Sequence, residues 1–309
     1  MTDGERGGGG ALAAAAVREP RLNAKDFKGP VDPDWCPGCG DFSVLASLQQ
    51  ALAELSIEPH HVVTISGIGC SSNLPGFIHT YGMHTLHGRA LAVATGVQLA
   101  NHELKVIVTG GDGDGFGIGG NHFLHTMRRN VDVTYIVMDN QIYGLTTGQC
   151  SPTSSMGMKT KSTPFGNVEN PINPIPLAII GGATYVARGF SGQPKHLVEL
   201  IKGGILHQGF ALIDVFSPCV TYNKDNTYQW FRPRVKTLEE IGHDPTNFHA
   251  ALDQGLMWGD TIPIGVFWKS DDRKSLGQME PVLVEGGPLA LRPVGIDAST
   301  ARSLVAELM

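Results

Sequence analysis

Residues 105–120 combine a short apolar run, a glycine-rich loop with acidic side chains and the start of a helical pattern. Asp112 stands between glycines where the apolar run ends, and Asn140 follows the next apolar run. If both runs are neighbouring parallel strands, their carboxyl ends share one edge and both side chains project into one crevice. Oxygen ligands suit Mg²⁺, which usually also binds substrate phosphates. The pattern therefore predicts a magnesium–diphosphate site, with a backbone carbonyl near Ile142 as a further ligand.

The same glycine-rich segment also fits a dinucleotide-binding loop. Residues 115–120 match the G-x-G-x-x-G fingerprint, and Asp139 stands where an acid that binds the ribose would lie. Against this, Asp112 and Asp114 at the mouth of the loop would repel a pyrophosphate that no cation shields. We therefore favour the metal site and keep an NAD-dependent dehydrogenase as an alternative. An acidic turn without a ligand would leave the entropic cost of the repeated glycines unexplained.

Four of the five cysteines have a spacing or a position that suits metal binding. Cys36 and Cys39 form a C-x-x-C turn, which directs two sulfurs at one metal, and Cys70 and Cys219 each follow a predicted strand. Four thiolates can hold a 4Fe-4S cluster or a zinc ion. The spacing leaves both open, so a zinc-binding structural subunit is another alternative. Cys150 is predicted to lie in a loop and to take no part in metal binding.

Short runs rich in valine and isoleucine, without alternation of polar and apolar residues, predict the buried parallel strands that would position these side chains. The runs span residues 62–66, 105–109, 133–138, 183–187 and 211–216. Helical patterns between them span residues 42–55, 90–100, 120–129 and 195–207. Strands that alternate with helices predict an α/β fold, an open, mostly parallel sheet with helices on both faces. A helix at 248–257 and a strand at 263–268 precede a C-terminal tail.

The composition is that of a globular chain, which we divide into three parts. We expect a flexible arm over residues 1–25, a ligand-binding domain over 26–235, and a segment over 236–309 that packs on the domain or on a partner subunit. The net charge of -6 argues against nucleic acid as a partner. No stretch is long and apolar enough to predict contact with a membrane. Five cysteines without a secretion signal predict a cytoplasmic location.

Six motifs in order carry a resemblance to a known family. They are residues 35–40 (Trp-Cys-Pro-Gly-Cys-Gly), 67–72, 84–90, 110–114, 139–149 and 218–223. Across roughly residues 30–230 the chain resembles the β subunit of 2-oxoacid:ferredoxin oxidoreductases. Residues 145–147 and the length of the loop to Pro164 favour the branch of that family that uses 2-oxoglutarate.

The resemblance implies a thiamine diphosphate-binding fold with three bound groups. Asp112, Asn140 and the carbonyl of Ile142 would bind Mg²⁺. One 4Fe-4S cluster would be bound by Cys36, Cys39, Cys70 and Cys219. Thiamine diphosphate would be lined by Ile68, Gly69, Cys70, Ser71, His87, Gly111, Gly113, Asp114, Tyr143, Gly144, Leu145 and Thr146. Asp139 stands before Asn140 where many thiamine enzymes have another asparagine, but the ligand position itself is unchanged.

The resemblance also implies a reversible reaction, the oxidative decarboxylation of a 2-oxoacid to acyl-CoA and carbon dioxide. Coenzyme A would be the co-substrate, and electrons would pass through the cluster to ferredoxin. We expect 2-oxoglutarate synthase activity. Pyruvate or a branched-chain 2-oxoacid is the alternative substrate, since Thr147 stands where some relatives carry a lysine. His84, His87 and Arg89 are candidate catalytic residues that would handle protons or contact a carboxylate or phosphate, although a structural role fits them equally.

One group needed for thiamine chemistry has no candidate motif in this chain, namely the carboxylate that activates the cofactor. In the family that the chain resembles, a glutamate of the α subunit supplies it. We therefore expect an α2β2 heterotetramer, and a chain that is inactive without its α subunit.

Overall fold

The structure is a computed structural model that describes residues 22–293 and 295–309. Most of the predicted arm, residues 1–21, lies outside the described residues. At the start of the described chain, Asn23 caps a 3₁₀ turn, Ala24–Phe27, and Phe27 is fully buried in the core. The amide of Gln49 donates to the carbonyl of Phe27 at 3.1 Å. The residues just after position 21 are thus attached to the folded domain.

Eight strands form one sheet in the order β2-β1-β3-β4-β6-β5-β8-β7. They are β1 (Val62–Ser66), β2 (Tyr81–His84), β3 (Lys105–Gly111), β4 (Val133–Asp139), β5 (Tyr185–Phe190), β6 (Phe210–Phe216), β7 (Val235–Thr237) and β8 (Ile262–Lys269). Strands β1 to β6 are parallel to one another. Strand β8 pairs antiparallel with β5, and β7 runs parallel to β8 at the edge. The carboxyl ends of β1, β3, β4 and β6 therefore share one edge of the sheet.

Helices connect these strands and continue to the end of the chain. They are α1 (Asp41–Glu54), α2 (Leu74–Phe77), α3 (Ala90–Ala100), α4 (Gly120–Arg129), α5 (Pro174–Ile180), α6 (Pro194–Leu206), α7 (Tyr228–Phe231), α8 (Phe248–Leu256), α9 (Leu276–Met279), α10 (Pro281–Gly286) and α11 (Ala298–Glu307). Shorter 3₁₀ turns include Pro59–His61, Cys70–Asn73 and Leu289–Leu291, and Gly113–Ile118 forms a π-helical turn. In the described part of the chain, every helix falls short of the length and hydropathy that crossing a membrane requires.

The sheet has a hydrophobic core on each face. Alternate residues of one strand serve the two cores, as Ile136 and Val137 of β4 do. On the first face, α1 and α6 bury residues such as Leu48 and Ile201. On the second face, α3, α4, α5 and α8 cover the sheet, with Phe123 among the buried side chains. Because both faces are covered, the central strands consist of apolar runs, which is the pattern seen in the sequence.

The predicted α/β fold with an open, mostly parallel sheet is confirmed. The five predicted core strands and the four predicted helices between them are present, and no bound shifts by more than three residues. The strand predicted at 183–187 is β5, which begins at Tyr185. Strand β2 was not predicted because its four residues are exposed and do not form an apolar run. The predicted helix at 248–257 and strand at 263–268 correspond to α8 and β8, and β8 joins the main sheet. The division into an arm, a domain and a C-terminal segment stays a prediction.

Candidate active site

A cleft opens at the shared carboxyl edge, where β1, β3 and β4 end. It is lined by Ile68, Gly69, Cys70, Ser71, His87, Gly111, Asp112, Gly113, Asp114, Met138, Asn140, Ile142, Tyr143, Gly144, Leu145 and Thr146. All twelve residues predicted to line the cofactor lie on this cleft, together with the three predicted magnesium ligands. Met138, at the end of β4, is the lining residue that the sequence did not indicate. The topology thus gathers four separate motifs into one site.

Two oxygen donors stand at the ends of adjacent strands in this cleft. Asp112 directly follows β3 and is 1% exposed, and Thr153 donates to its Oδ2 at 2.6 Å. Asn140 directly follows β4, and its Oδ1 accepts from the backbone N–H of Ile142 at 3.0 Å. Burial raises the pKa of Asp112 above its usual value. Burying an ionised carboxylate costs free energy unless a positive charge lies beside it, and a metal ion would supply that charge.

The floor between these donors has room for a ligand rich in oxygen. A β-carbon added to Gly111 would find only Ser71 Oγ nearby, at 3.6 Å. That hydroxyl is buried, and within the described residues it has no hydrogen-bond partner. At Gly113 the opposite holds, since an added β-carbon would lie 2.1 Å from the ring of Tyr143. An unpaired hydroxyl beside an open floor and a buried carboxylate fits a diphosphate bound through Mg²⁺.

Asp114 organises the loops around the cleft. Its Oδ1 accepts hydrogen bonds from the backbone N–H groups of Ile68 at 2.9 Å and Gly88 at 2.7 Å. The same oxygen lies 2.7 Å from Nδ1 of His87. Because an ionised carboxylate only accepts, Nδ1 of His87 donates this hydrogen bond, and Nε2 is the ring nitrogen that Asp114 does not contact. Asp114 therefore positions His87 and the loop after β1.

The other two candidate catalytic residues lie away from the cleft lining. His84 ends the exposed strand β2, and its Nδ1 lies 3.0 Å from the hydroxyl of Ser66. Arg89 makes a long contact, 3.4 Å, from Nη1 to the carbonyl of Gly88. The structure therefore brings His87 to the cofactor cleft and leaves His84 and Arg89 outside its lining.

Cys70 and Cys219 flank the same loop of the cleft. Cys70 begins the 3₁₀ turn after β1, and Cys219 follows β6. A β-carbon added to Gly144 would lie 3.4 Å from the sulfur of Cys70 and 3.6 Å from that of Cys219. The side-chain amide of Asn140 lies near the same point, since its Nδ2 is 3.7 Å away. The two sulfurs are therefore next to one of the predicted magnesium ligands.

The C-x-x-C turn adjoins the segment that carries Cys219, since the N–H of Gly40 donates to the carbonyl of Pro218 at 3.3 Å. Cys39 closes the turn with a hydrogen bond from its N–H to the carbonyl of Cys36 at 2.9 Å. Burial, helped by the nearby carboxyl of Asp41 and by neighbouring thiols, raises the pKa of Cys70 to about 12 and that of Cys39 still further. A bound metal would favour the thiolate forms of these side chains. Cys150 contacts the hydroxyl of Thr163 instead, at 3.3 Å.

The spacing of these side chains bears on which metal they suit. In the described part of the chain, no three histidine, cysteine or acidic side chains are close enough to share one metal ion. A zinc ion requires its sulfur ligands at about 2.3 Å, and hence packed closely together. In an iron–sulfur cluster each cysteine binds a different iron atom, so its sulfurs stand further apart. Whether these cysteines hold a cluster or a zinc ion stays a prediction.

The geometry also speaks against the dinucleotide-binding alternative. The proposed fingerprint overlaps the π-helical turn Gly113–Ile118. Asp139 is 2% exposed, and its Oδ1 accepts from the backbone N–H of Gln141 at 3.0 Å. It also lies 3.0 Å from the hydroxyl of Thr153. A carboxyl enclosed in this way is not free to bind a ribose.

Thr153 is a site residue that the sequence did not reveal. Its hydroxyl lies between Asp112 and Asp139, and it has only one proton to donate. Burial and the nearby carboxyls of Asp112 and Asp214 raise the pKa of Asp139 well above its usual value. The hydroxyl-rich stretch at residues 151–154 is the only trace of this role in the sequence.

Comparison with known proteins agrees with this geometry. The family model described as "Thiamine pyrophosphate enzyme, C-terminal TPP binding domain" matches residues 67–215, and a model for the C-terminal part of the pyruvate ferredoxin oxidoreductase beta chain matches residues 219–284. The chain is 47% identical over 282 residues to 2-oxoacid:ferredoxin oxidoreductase 1, subunit beta, of Aeropyrum pernix, covering 87% of this chain and 89% of that relative. This chain belongs to that family of β subunits.

The chain is also similar to proteins whose names include 2-oxoglutarate. It is 46% identical over 211 residues to the 2-oxoglutarate oxidoreductase subunit KorB of Mycobacterium tuberculosis, covering 68% of this chain and 57% of that one. A solved structure of 2-oxoglutarate:ferredoxin oxidoreductase from Magnetococcus marinus, with 2-oxoglutarate, coenzyme A and succinyl-CoA bound, superimposes with a TM-score of 0.85. That match has 45% identity and covers 93% of this chain and 97% of the other.

Proposed function

We propose that this β subunit binds thiamine diphosphate and a 4Fe-4S cluster, and that it acts on 2-oxoglutarate. The reaction is the reversible conversion of 2-oxoglutarate and coenzyme A to succinyl-CoA and carbon dioxide, with electrons passed to ferredoxin. The observation that carries the proposal is at Gly144, where an added β-carbon would lie within 3.7 Å of the sulfurs of Cys70 and Cys219 and of the side-chain amide of Asn140. The Magnetococcus marinus structure, with 2-oxoglutarate, coenzyme A and succinyl-CoA bound, supports the choice of substrate.

Asp112, Asn140 and the carbonyl of Ile142 are the residues that would hold Mg²⁺ and, through it, the diphosphate. Ser71, whose hydroxyl is unpaired within the described residues, would donate to a phosphate oxygen. When bound, thiamine diphosphate supplies the carbon nucleophile and the electron sink that decarboxylation needs. The work of this chain is to anchor the diphosphate in a fixed position beside the sulfurs.

The four cysteines would hold a cluster that accepts electrons one at a time. Cys70 lines the cleft, and Cys219 lies beside the loop at Gly144, where an added β-carbon would be 3.6 Å from its sulfur. Cys36 is exposed, so one corner of the cysteine group faces the surface from which a ferredoxin would collect electrons. His87, held by Asp114, is the candidate for proton transfer within the cleft.

The cleft needs a carboxylate from another chain. Among the described residues that line it, the acids are Asp112 and Asp114, and both are already engaged. An α subunit that supplies the missing acid would complete the site, and we propose the α2β2 heterotetramer as the active form. We also propose a cytoplasmic location and retain the division at residues 25 and 235.

The first prediction concerns substrate and partner. We expect the co-expressed α and β chains to oxidise 2-oxoglutarate in the presence of coenzyme A and ferredoxin, with kcat/KM at least about tenfold above that for pyruvate or a branched-chain 2-oxoacid. The β chain alone should bind thiamine diphosphate but show no turnover. A higher kcat/KM with pyruvate would replace the proposed substrate, and turnover by the isolated β chain would refute the need for a carboxylate from the α chain.

The second prediction concerns Cys219. We expect Cys219→Ser to lose most of the bound iron and the broad visible absorbance, because a hydroxyl is a poor ligand for iron. Cys150→Ser is the matched control and should keep full iron content. Iron and sulfide analysis of anaerobically purified protein measures both variants, and an unchanged iron content in Cys219→Ser would remove this residue from the ligand set.

A further inference from the structure

A buried carboxyl joins two distant segments that carry cluster cysteines. Asp41 is the first residue of α1, and Ser217 directly follows β6. The hydroxyl of Ser217 donates to Oδ1 of Asp41 at 2.5 Å, a short contact between residues that are 0% and 1% exposed. Cys39 lies two positions before Asp41, and Cys219 lies two positions after Ser217. The hydrogen bond therefore links the two cysteine segments directly.

The backbones of the same two segments are also in contact. A β-carbon added to Gly40 would lie 2.4 Å from the hydroxyl oxygen of Ser217 and 2.7 Å from its Cα. The N–H of Gly40 donates to the carbonyl of Pro218 at 3.3 Å. Because Gly40 has no side chain, the two segments approach closely. These polar contacts then help to set their relative position.

An acid at the first residue of α1 suits the helix N-terminus, but the burial of Asp41 makes its carboxyl group costly to keep there. Its second oxygen, Oδ2, is buried and has no hydrogen-bond partner within the described residues. An unpaired oxygen in such a place costs free energy that an apolar side chain would not. Asp41 also faces the thiols of Cys39 and Cys70, which it would repel if they were ionised without a metal. Its visible contribution is the hydrogen bond from Ser217.

We propose that Asp41 is a positioning residue, and that its hydrogen bond from Ser217 clamps the C-x-x-C turn to the Cys219 segment. The clamp sets the distance between Cys39 and Cys219, and so the shape of the sulfur cage. This inference rests on the cluster assigned under the proposed function. It adds a residue that binds neither iron nor substrate and acts through the cysteines on either side.

The test compares Asp41→Ala, Ser217→Ala and Asp41→Asn in the co-expressed α and β pair, purified without oxygen. We expect the first two to release iron to a chelator about tenfold faster than the unaltered protein, the factor that one hydrogen bond to a charged group is worth. The electron paramagnetic resonance spectrum and the reduction potential of the residual cluster should shift. Asp41→Asn should be close to normal, because its amide oxygen can still accept from Ser217.

A matched control lies on the same helix. Ser43 donates from its hydroxyl to the carbonyl of Ser191 at 2.6 Å, which also joins the start of α1 to another strand end. Ser43→Ala should lose a similar amount of stability without affecting the cluster. The double variant Asp41→Ala/Ser217→Ala should release iron no faster than either single variant, because both remove one interaction.

The possible outcomes separate the clamp from the proposed function. If Ser217→Ala and a folded Asp41→Ala both keep normal iron release and an unchanged spectrum, the clamp is refuted and the cluster stands. Equal iron loss in Ser43→Ala would also refute it, since general packing of α1 would then be the cause. If Asp41→Ala does not fold, Ser217→Ala and Asp41→Asn decide. Absence of iron from the unaltered protein would instead refute the cluster itself.

Discussion

We expect the Asp112→Ala variant to lose thiamine diphosphate while keeping its iron. Two buried carboxylates line the cleft, Asp112 and Asp114. Asp114 positions His87, whereas Asp112 lies beside the open floor at Gly111. Changing residues that merely orient a metal ligand costs roughly 10–100-fold in affinity, so removing the ligand itself should cost at least about a hundredfold. The cysteines are on other strand ends, and their cage should be unaffected.

Calorimetric titration with thiamine diphosphate and Mg²⁺, together with iron analysis, measures both effects. Thr153→Val is the matched control, since it removes the hydrogen bond to Asp112 and leaves the carboxylate in place. It should weaken binding by about tenfold. If Asp112→Ala lost both iron and cofactor, Asp112 would be a structural residue, and undiminished affinity would exclude it as a ligand.

The largest effect on stability is expected at Arg188. This side chain is 1% exposed, and its Nε lies 3.3 Å from Oδ2 of Asp214. Its Nη2 donates to Asn173 at 3.0 Å, and the guanidinium stands over the rings of Phe216 and Phe267. Arg188→Met leaves Asp214 buried without its cation, which should lower the free energy of unfolding by about 3–5 kcal/mol.

Denaturant unfolding followed by circular dichroism measures this loss, and the pH dependence gives a second check. Burial raises the pKa of Asp214 to about 6 even beside Arg188, so its ionisation disfavours folding as the pH rises. The loss in Arg188→Met should therefore be smaller below this pH than at neutral pH. The double variant Arg188→Met/Asp214→Leu should recover much of the stability. A loss under about 1 kcal/mol at neutral pH would show that the ion pair is not a net requirement of the fold.

The sequence predicted the parts of the fold that follow from burial on both faces. Strands β1, β3, β4 and β6 are fully or almost fully buried, and such strands must consist of apolar runs. Strand β2 has four exposed residues and takes its strand conformation from pairing with β1. Its existence depends on tertiary contact, which no local pattern records.

The candidate site likewise contains residues that the sequence indicated and residues that only the folded structure reveals. Asp112, Asn140 and the cysteines stood out because few residue types bind metals and because most of them follow a predicted strand. Thr153 and Asp41 did not, since their roles arise from contacts with residues distant in sequence. Asp114 was predicted to line the cofactor, but its hydrogen bonds to two backbone amides and to His87 appear only in the folded chain.

The proposed cluster on four cysteines would have a consequence for how the protein matures. Cys36 and Cys39 precede the first long helix, Cys70 follows β1, and Cys219 follows β6, so most of the parallel sheet must assemble before the four sulfurs meet. Sheets built from such distant pairings form slowly. A delivery system for iron and sulfide would therefore have to recognise a nearly native protein rather than a nascent chain.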